Sequence, residues 1–135
     1  MTDSELINIA VSAMKNAYAP YSCFKVGAAL LTGDGQCFTG CNIENASYPA
    51  GICAERAALS CAVSGGAKKF VKIAIVGGVN GFLTDFCTPC GICRQALAEF
   101  CDKDFEIITY NGSRAETHTL GELLPLSFGR NNLCE

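Results

Sequence analysis

Tryptophan is absent from this 135-residue chain, and histidine occurs once, as His118. A Ser-His-Asp or Cys-His hydrolase would need that one histidine as its base, and the flanking Thr117 and Thr119 offer no nucleophile motif. His118 reads instead as an exposed or half-buried strand residue. Positive charge is also scarce: 10 Lys and Arg face 13 Asp and Glu, a formal charge of −3. Without a basic stripe, a nucleic-acid polymer is not an expected partner. No apolar run approaches the roughly 20 residues that cross a bilayer, so no membrane is expected either. The opening Met1-Thr2-Asp3-Ser4-Glu5 lacks the basic and apolar regions of a secretory leader, and a cytoplasmic protein is expected. Complete phosphate-loop patterns are missing too, which leaves Gly65-Gly66 and Gly77-Gly78 as turns.

Cysteine, by contrast, is abundant, with ten in the chain. In a secreted protein that number would suggest a disulfide scaffold, but in a reducing compartment it divides into metal ligands and small buried hydrophobes. Cys23, Cys37, Cys41, Cys61 and Cys101 lie within or beside apolar stretches and are expected to be buried and structural. Cys134 falls in the C-terminal tail.

Half of the residues are apolar, enough for a sizeable core in a single domain spanning 1–135. Leu6, Ile9, Ala10, Ala13, Met14 and Ala17 recur at helical spacing, predicting an amphipathic helix near 4–17 that ends before Pro20. Strand-like runs at 25–32 and 36–42 flank Gly33-Asp34-Gly35, a hairpin turn. A helix from near Ile52 to Gly65, a buried strand at 70–76, a helix at 90–100, strands at 105–110 and 117–119 and a helical turn at 120–124 follow. The fold class is α/β: a mixed sheet of about five strands covered by helices.

Two segments carry the chemistry. Cys53-Ala54-Glu55 and Pro89-Cys90-Gly91-Ile92-Cys93 each open a predicted helix, where backbone N–H groups and the helix dipole favour thiolate. Three cysteines supply the three protein ligands of a catalytic zinc site, leaving one position for water, and Glu55 stands beside the ligands as a base that becomes an acid. Pro89 reads as a helix-start proline. Cys87-Thr88-Pro89-Cys90 overlaps Cys90-Gly91-Ile92-Cys93, so two other centres compete. One is a closed four-sulfur structural zinc site using Cys87; the other is an iron–sulfur site, for which the required further Cys-Pro is missing after Cys93. Only the three-cysteine reading gives Glu55 a task.

Four stretches together closely resemble the small homotetrameric cytidine deaminases: Phe24-Lys25-Val26-Gly27-Ala28-Ala29, Gly40 to Tyr48, Cys53-Ala54-Glu55-Arg56-Ala57-Ala58 and Thr88 to Gln95. The likeness runs over almost the whole chain and follows the all-cysteine variant of the zinc deaminase pattern, in which a P-C-x-x-C pair joins a first ligand near a non-ligating Glu. It implies a three-layer α/β/α fold and one Zn²⁺ per chain held by Cys53, Cys90 and Cys93. It also implies hydrolytic deamination of cytidine and deoxycytidine to the uracil nucleosides in pyrimidine salvage, with Glu55 carrying protons.

From the same resemblance, Arg56 would donate to ligand sulfur and offset the charge of three thiolates. Asn42 and Glu44 would grip the ribose hydroxyl, Phe24 would pack on the pyrimidine, and the Ala54 N–H would donate to the pyrimidine carbonyl. Tyr48 and Phe128 would reach a neighbouring subunit's site in a homotetramer. A blasticidin-type aminonucleoside deaminase would share the metal and Glu55 but take a different sugar portion, and Asn42 and Glu44 favour ribose. A non-enzymatic zinc or iron–sulfur module and a polynucleotide editor are further rivals, the latter lacking the basic channel that a strand needs.

Overall fold

The computed structural model describes residues 1–134, and its elements alternate between helix and strand. Helix α1 (Asp3–Met14) begins at a capping box: the Glu5 N–H donates to Thr2 Oγ1 at 3.1 Å and the Thr2 N–H to Glu5 Oε2 at 2.8 Å. It ends three residues before the predicted Ala17. The cause is tertiary, because Tyr18 is drawn into an extended bridge with Ile43, its N–H reaching Asn42 O at 3.0 Å and its carbonyl accepting from Glu44 N at 2.8 Å.

Strands β1 (Phe24–Thr32) and β2 (Cys37–Cys41) form the predicted hairpin, in register from Gly27↔Cys41 to Leu31↔Cys37. After a short 3-10 turn at Tyr48–Ala50 come α2 (Ala54–Ser64), β3 (Phe70–Val79), α3 (Gly91–Phe100), β4 (Glu106–Tyr110), β5 (Ala115–Thr119), α4 (Leu120–Leu123) and α5 (Arg130–Leu133). The sheet order is β2-β1-β3-β4-β5; only β3 and β4, joined through α3, are parallel. The mixed five-stranded sheet is as predicted. The 3-10 turn and α5 had no distinct pattern, each being a turn or less of helix.

Alternation along the strands builds two cores. Ala28, Leu30, Ile73, Ile75 and Ile107 face α2 and α3 through Ala54, Ala58, Ala62 and Leu97. Their neighbours Ala29, Leu31, Ala74, Val76 and Ile108 face α1 through Leu6, Ile7, Ala10 and Met14. Three layers result, with a strand core buried on both faces, which is why β1 and β3 read as continuous apolar runs.

Glycine decides how closely α2 sits. A Cβ at Gly40 in β2 would collide with the Ala54 carbonyl and the Ala58 amide, so this strand lets the helix backbone lie directly against it. Gly77 and Gly78 correct the sequence reading: they are strand residues, paired with Val26 and Lys25, and not a turn. A side chain at Gly77 would lie 2.9 Å from Cys87 Sγ and 3.1 Å from the Phe24 ring, and one at Gly78 would meet the Phe82 carbonyl.

The cysteine expectations divide. Cys37, Cys41 and Cys101 are partly buried, and burial pushes Cys101 up to about 12. Cys23 and Cys61 are exposed, against expectation. Cys61 points away from the buried stripe Ala54, Ala58, Leu59 and Ala62 of α2, while Cys23 occupies an exposed turn with φ +60°. Cys134 is exposed at the end of α5.

Candidate metal centre

Both cysteine segments open helices. Cys53 is the N-cap of α2 and Cys90 the N-cap of α3, with Cys93 in the first turn of α3. The first N–H groups of each helix have no partner within the helix, so two sets of donors converge where the sulfurs meet. Pro89 precedes the Cys90 N-cap, two residues before the first residue of α3 rather than at that first position, and its carbonyl accepts from Arg94 Nε at 2.7 Å. Arg94 Nη1 also donates to Leu123 O at 2.7 Å, tying the loop before Cys90 to the end of α4.

The Sγ atoms of Cys53, Cys90 and Cys93 all lie within 4.8 Å of one another, and the Cys53–Cys90 separation is 3.6 Å. Zn–S bonds of 2.3 Å in a tetrahedron put sulfurs about 3.8 Å apart, so this donor set fits Zn²⁺. Cys87 is not in the group, although it reaches the same cavity. Three sulfurs, without a fourth, leave room for an open coordination position. Arg56 Nη2 donates to Cys53 Sγ at 3.8 Å, and its Nε is buried without an acceptor among the described residues. Cationic nitrogen therefore backs the sulfurs, as three thiolates require.

Burial raises the Cys53 and Cys93 thiols and pushes Cys87 up to about 12. At Cys90 desolvation is outweighed by the amides of Cys93 and Ile92 and the adjoining thiols, and that group is lowered. Burial alone does not separate the three grouped cysteines from Cys87; position does. Glu55 is only 4% exposed, and desolvation raises its carboxyl above the ordinary value, opposed by its own amide and by the Cys93 thiol. A carboxyl held this way, beside three sulfurs and outside their group, suits proton transfer.

A cavity of about 630 Å³ opens over the centre, walled by Asn42, Glu44, Tyr48, Cys53, Ala54 and Glu55. Asn42 and Glu44 are more constrained than their loop position suggested. Asn42 Oδ1 accepts from Val26 N at 2.8 Å while its Nδ2 donates to Phe24 O at 2.8 Å, extending the edge of β1. Glu44 Oε1 accepts from Tyr21 N at 2.9 Å and Ser22 N at 3.2 Å. Tyr48 is 78% exposed and meets Tyr21 edge-on, ring centroids 6.2 Å apart. Phe24 is not in the cavity wall; it is 38% exposed, and its ring lies with Val26 and Cys87 around the space Gly77 leaves. Phe128 is also outside its own chain's cavity, 59% exposed, its carbonyl held by Gln95 Nε2 at 2.9 Å. Sequence reasoning missed Ser22, Val26 and Thr88 in the wall. Ser22, two residues before Phe24, had position as its only signal. His118 is half-buried on β5 opposite Ile107, as expected, and belongs neither to the sulfur group nor to the cavity wall.

Comparisons with known proteins agree with this geometry. A cytidine deaminase of Sporosarcina psychrophila is 43% identical over 135 residues, covering 98% of this chain and 96% of that protein. A blasticidin-S deaminase of Bacillus cereus is 32% identical over 133 residues, covering 96% and 94%. The crystal structure of a cytidine deaminase from Burkholderia pseudomallei superposes with a TM-score of 0.87 at 44% identity, over 95% of this chain and 100% of that one. Residues 1–109, which hold every sulfur of the centre and Glu55, match the model of the cytidine and deoxycytidylate deaminase zinc-binding region, and the chain belongs to that family.

Proposed function

We propose that this single-domain chain is a zinc hydrolase that deaminates cytidine and deoxycytidine to uridine and deoxyuridine, releasing ammonia. The observation that carries the reading is Glu55: a buried carboxyl beside three grouped sulfurs, at the floor of a nucleoside-sized cavity, and not itself one of the group. Cys53, Cys90 and Cys93 would hold one zinc ion, which when bound makes water acidic enough to supply a nucleophile near neutral pH. Glu55 would take one proton from the attacking water and deliver it to N3 as the oxygen adds to C4 of the pyrimidine, then take the remaining proton of the new C4 hydroxyl and pass it to the amine as the C4–N bond breaks and the C4 carbonyl forms. Arg56 keeps the sulfurs from accumulating excess negative charge.

Substrate binding follows the walls. The Ala54 N–H, at the first position of α2, points to the pyrimidine carbonyl, and Asn42 and Glu44 take the sugar hydroxyl. Phe24, exposed next to Val26 and Cys87 of the wall, packs on the pyrimidine. Tyr48 and Phe128 act across subunits in a homotetramer; the exposure of both and the absence of Phe128 from its own chain's cavity wall support that assignment. Among the described residues no helix is long and apolar enough to cross a membrane. A role in pyrimidine salvage in the cytoplasm suits such a chain.

Ultraviolet monitoring of cytidine with purified protein, alongside zinc analysis, tests the reading. Conversion to uridine at about one zinc per chain is expected. Zinc-loaded protein that leaves cytidine unchanged while turning over blasticidin S would move the assignment to the related deaminase class.

A further inference from the structure

Glu44 is held by more than its own segment. Oε1 accepts the Tyr21 and Ser22 amides at 2.9 and 3.2 Å, and Oε2 accepts the Ser22 hydroxyl. A carboxylate offers about four acceptor positions, so three are filled and one remains, on Oε2. Ser22 Oγ in turn accepts from the Phe24 N–H at 3.0 Å. A hydroxyl has one proton to give, and with the Phe24 amide on its lone pair that proton is committed to Glu44. The run Phe24 N–H to Ser22 O–H to Glu44 is thus directional, and it polarises toward the carboxylate. Ser22 and Glu44 both line the cavity.

We propose that Ser22 is a positioning residue: it turns Glu44 so that its last free acceptor meets a single sugar hydroxyl, an inference that rests on Glu44 binding the sugar. One remaining acceptor reads one hydroxyl, which ribose and deoxyribose nucleosides can both supply. The Ser22 hydroxyl, chief among the groups on Glu44, also holds its carboxyl below the usual range. These bonds lie at the surface, where water can replace a lost partner, so removing the hydroxyl disturbs orientation more than folding.

The test is a double-mutant cycle on the zinc-loaded protein, comparing Ser22→Ala, Glu44→Gln and the pair, with KM and kcat for cytidine as the readout. Ser22→Ala is expected to raise KM about tenfold, the effect of one charge-assisted hydrogen bond, with kcat within about twofold. Ser22→Thr, which keeps the hydroxyl, restores KM. In the Glu44→Gln background Ser22→Ala changes KM by less than about twofold. A Ser22→Ala KM equal to wild type while Glu44→Gln raises it overturns the proposal, as does an equal rise in both backgrounds, which would assign Ser22 to Phe24 alone. If Glu44→Gln itself leaves KM unchanged, the sugar-binding reading fails and this inference with it. Ser22→Cys, nearly isosteric with a weak donor, carries the same expectation as Ser22→Ala should the alanine variant not fold.

Discussion

The two walls of the cavity are held by different forces. On the metal side, Cys53, Ala54 and Glu55 ride the first turn of α2 and Cys90 and Cys93 the first turn of α3, and Ala54, Glu55 and Cys93 are buried. Helix geometry and packing fix these groups before any ligand arrives. On the sugar side, Asn42 and Glu44 follow β2 in an irregular segment and are fastened by side-chain hydrogen bonds to the backbone of 21–26. Packing fixes the wall where bonds are made and broken. Polar contacts, which a substrate can join, fix the wall that only grips.

That contrast is most sharply tested at Glu55. Replacing it with glutamine leaves the sulfurs and the packing of α2 intact, so zinc content and melting temperature are expected to hold while kcat falls by about 10²–10⁴-fold. Turnover within tenfold of wild type, read by ultraviolet assay of zinc-loaded protein, would remove the carboxyl from the chemistry and erase the division between walls. Next in size is the sulfur comparison. Cys90→Ser should lose most of the bound zinc, whereas Cys87→Ser, outside the group but in the same wall, should retain about one ion per chain. Equal losses on metal analysis would mean that the cavity, and not the three-sulfur geometry, selects the metal.

A smaller effect should come from outside the cavity. Gly40→Ala would drive a methyl into the backbone of α2 at Ala54 and Ala58, so the helix must move to accommodate it. Overpacking of this kind costs about 1–3 kcal/mol, and a melting temperature lower by several degrees is expected. Because α2 carries Cys53 and Glu55, kcat should fall more than KM rises. A rise in KM alone would show that the strain travels through β2 to Asn42 instead, coupling two walls that are otherwise held separately.

The same division explains what could be read from the chain. Ligand spacing is local: Cys53 and Glu55 are two residues apart, Cys90 and Cys93 three, and each pair opens a helix whose boundaries the apolar period fixes. The mixed sheet of about five strands was legible for the same reason, from runs of β-formers separated by turns, whereas the order of the strands was not. The sugar wall depends on contacts between residues 16 to 23 positions apart, such as Val26 with Asn42 and Tyr21 with Glu44. No periodicity reports those, and only the family resemblance named Asn42 and Glu44 in advance. Ser22 had neither signal. Gly77 and Gly78 misled because paired glycines are ordinary turn formers, and the close approach of Cys87, Phe24 and Phe82 that demands them in β3 comes from three separate segments.

The turn that supports the sugar wall also carries the smallest prediction. Cys23 sits between Ser22 and Phe24 with φ +60°, a left-handed conformation that burdens any residue with a Cβ, and its N–H and carbonyl are both engaged, with Ala19 O at 3.0 Å and Asn80 N at 2.7 Å. Since the thiol is exposed, Cys23→Gly removes strain without emptying a core site. The gain from relieved strain exceeds the extra chain entropy of glycine by a small margin, so stability should rise by about 0.5–1 kcal/mol, measured as a shift in the denaturation midpoint. KM for cytidine should stay within about twofold, because Ser22 and Glu44 keep their bonds when the backbone of the turn is unchanged. A gain in stability accompanied by a large rise in KM would mean that the strained turn, more than the hydrogen bonds it presents, sets the position of the sugar wall.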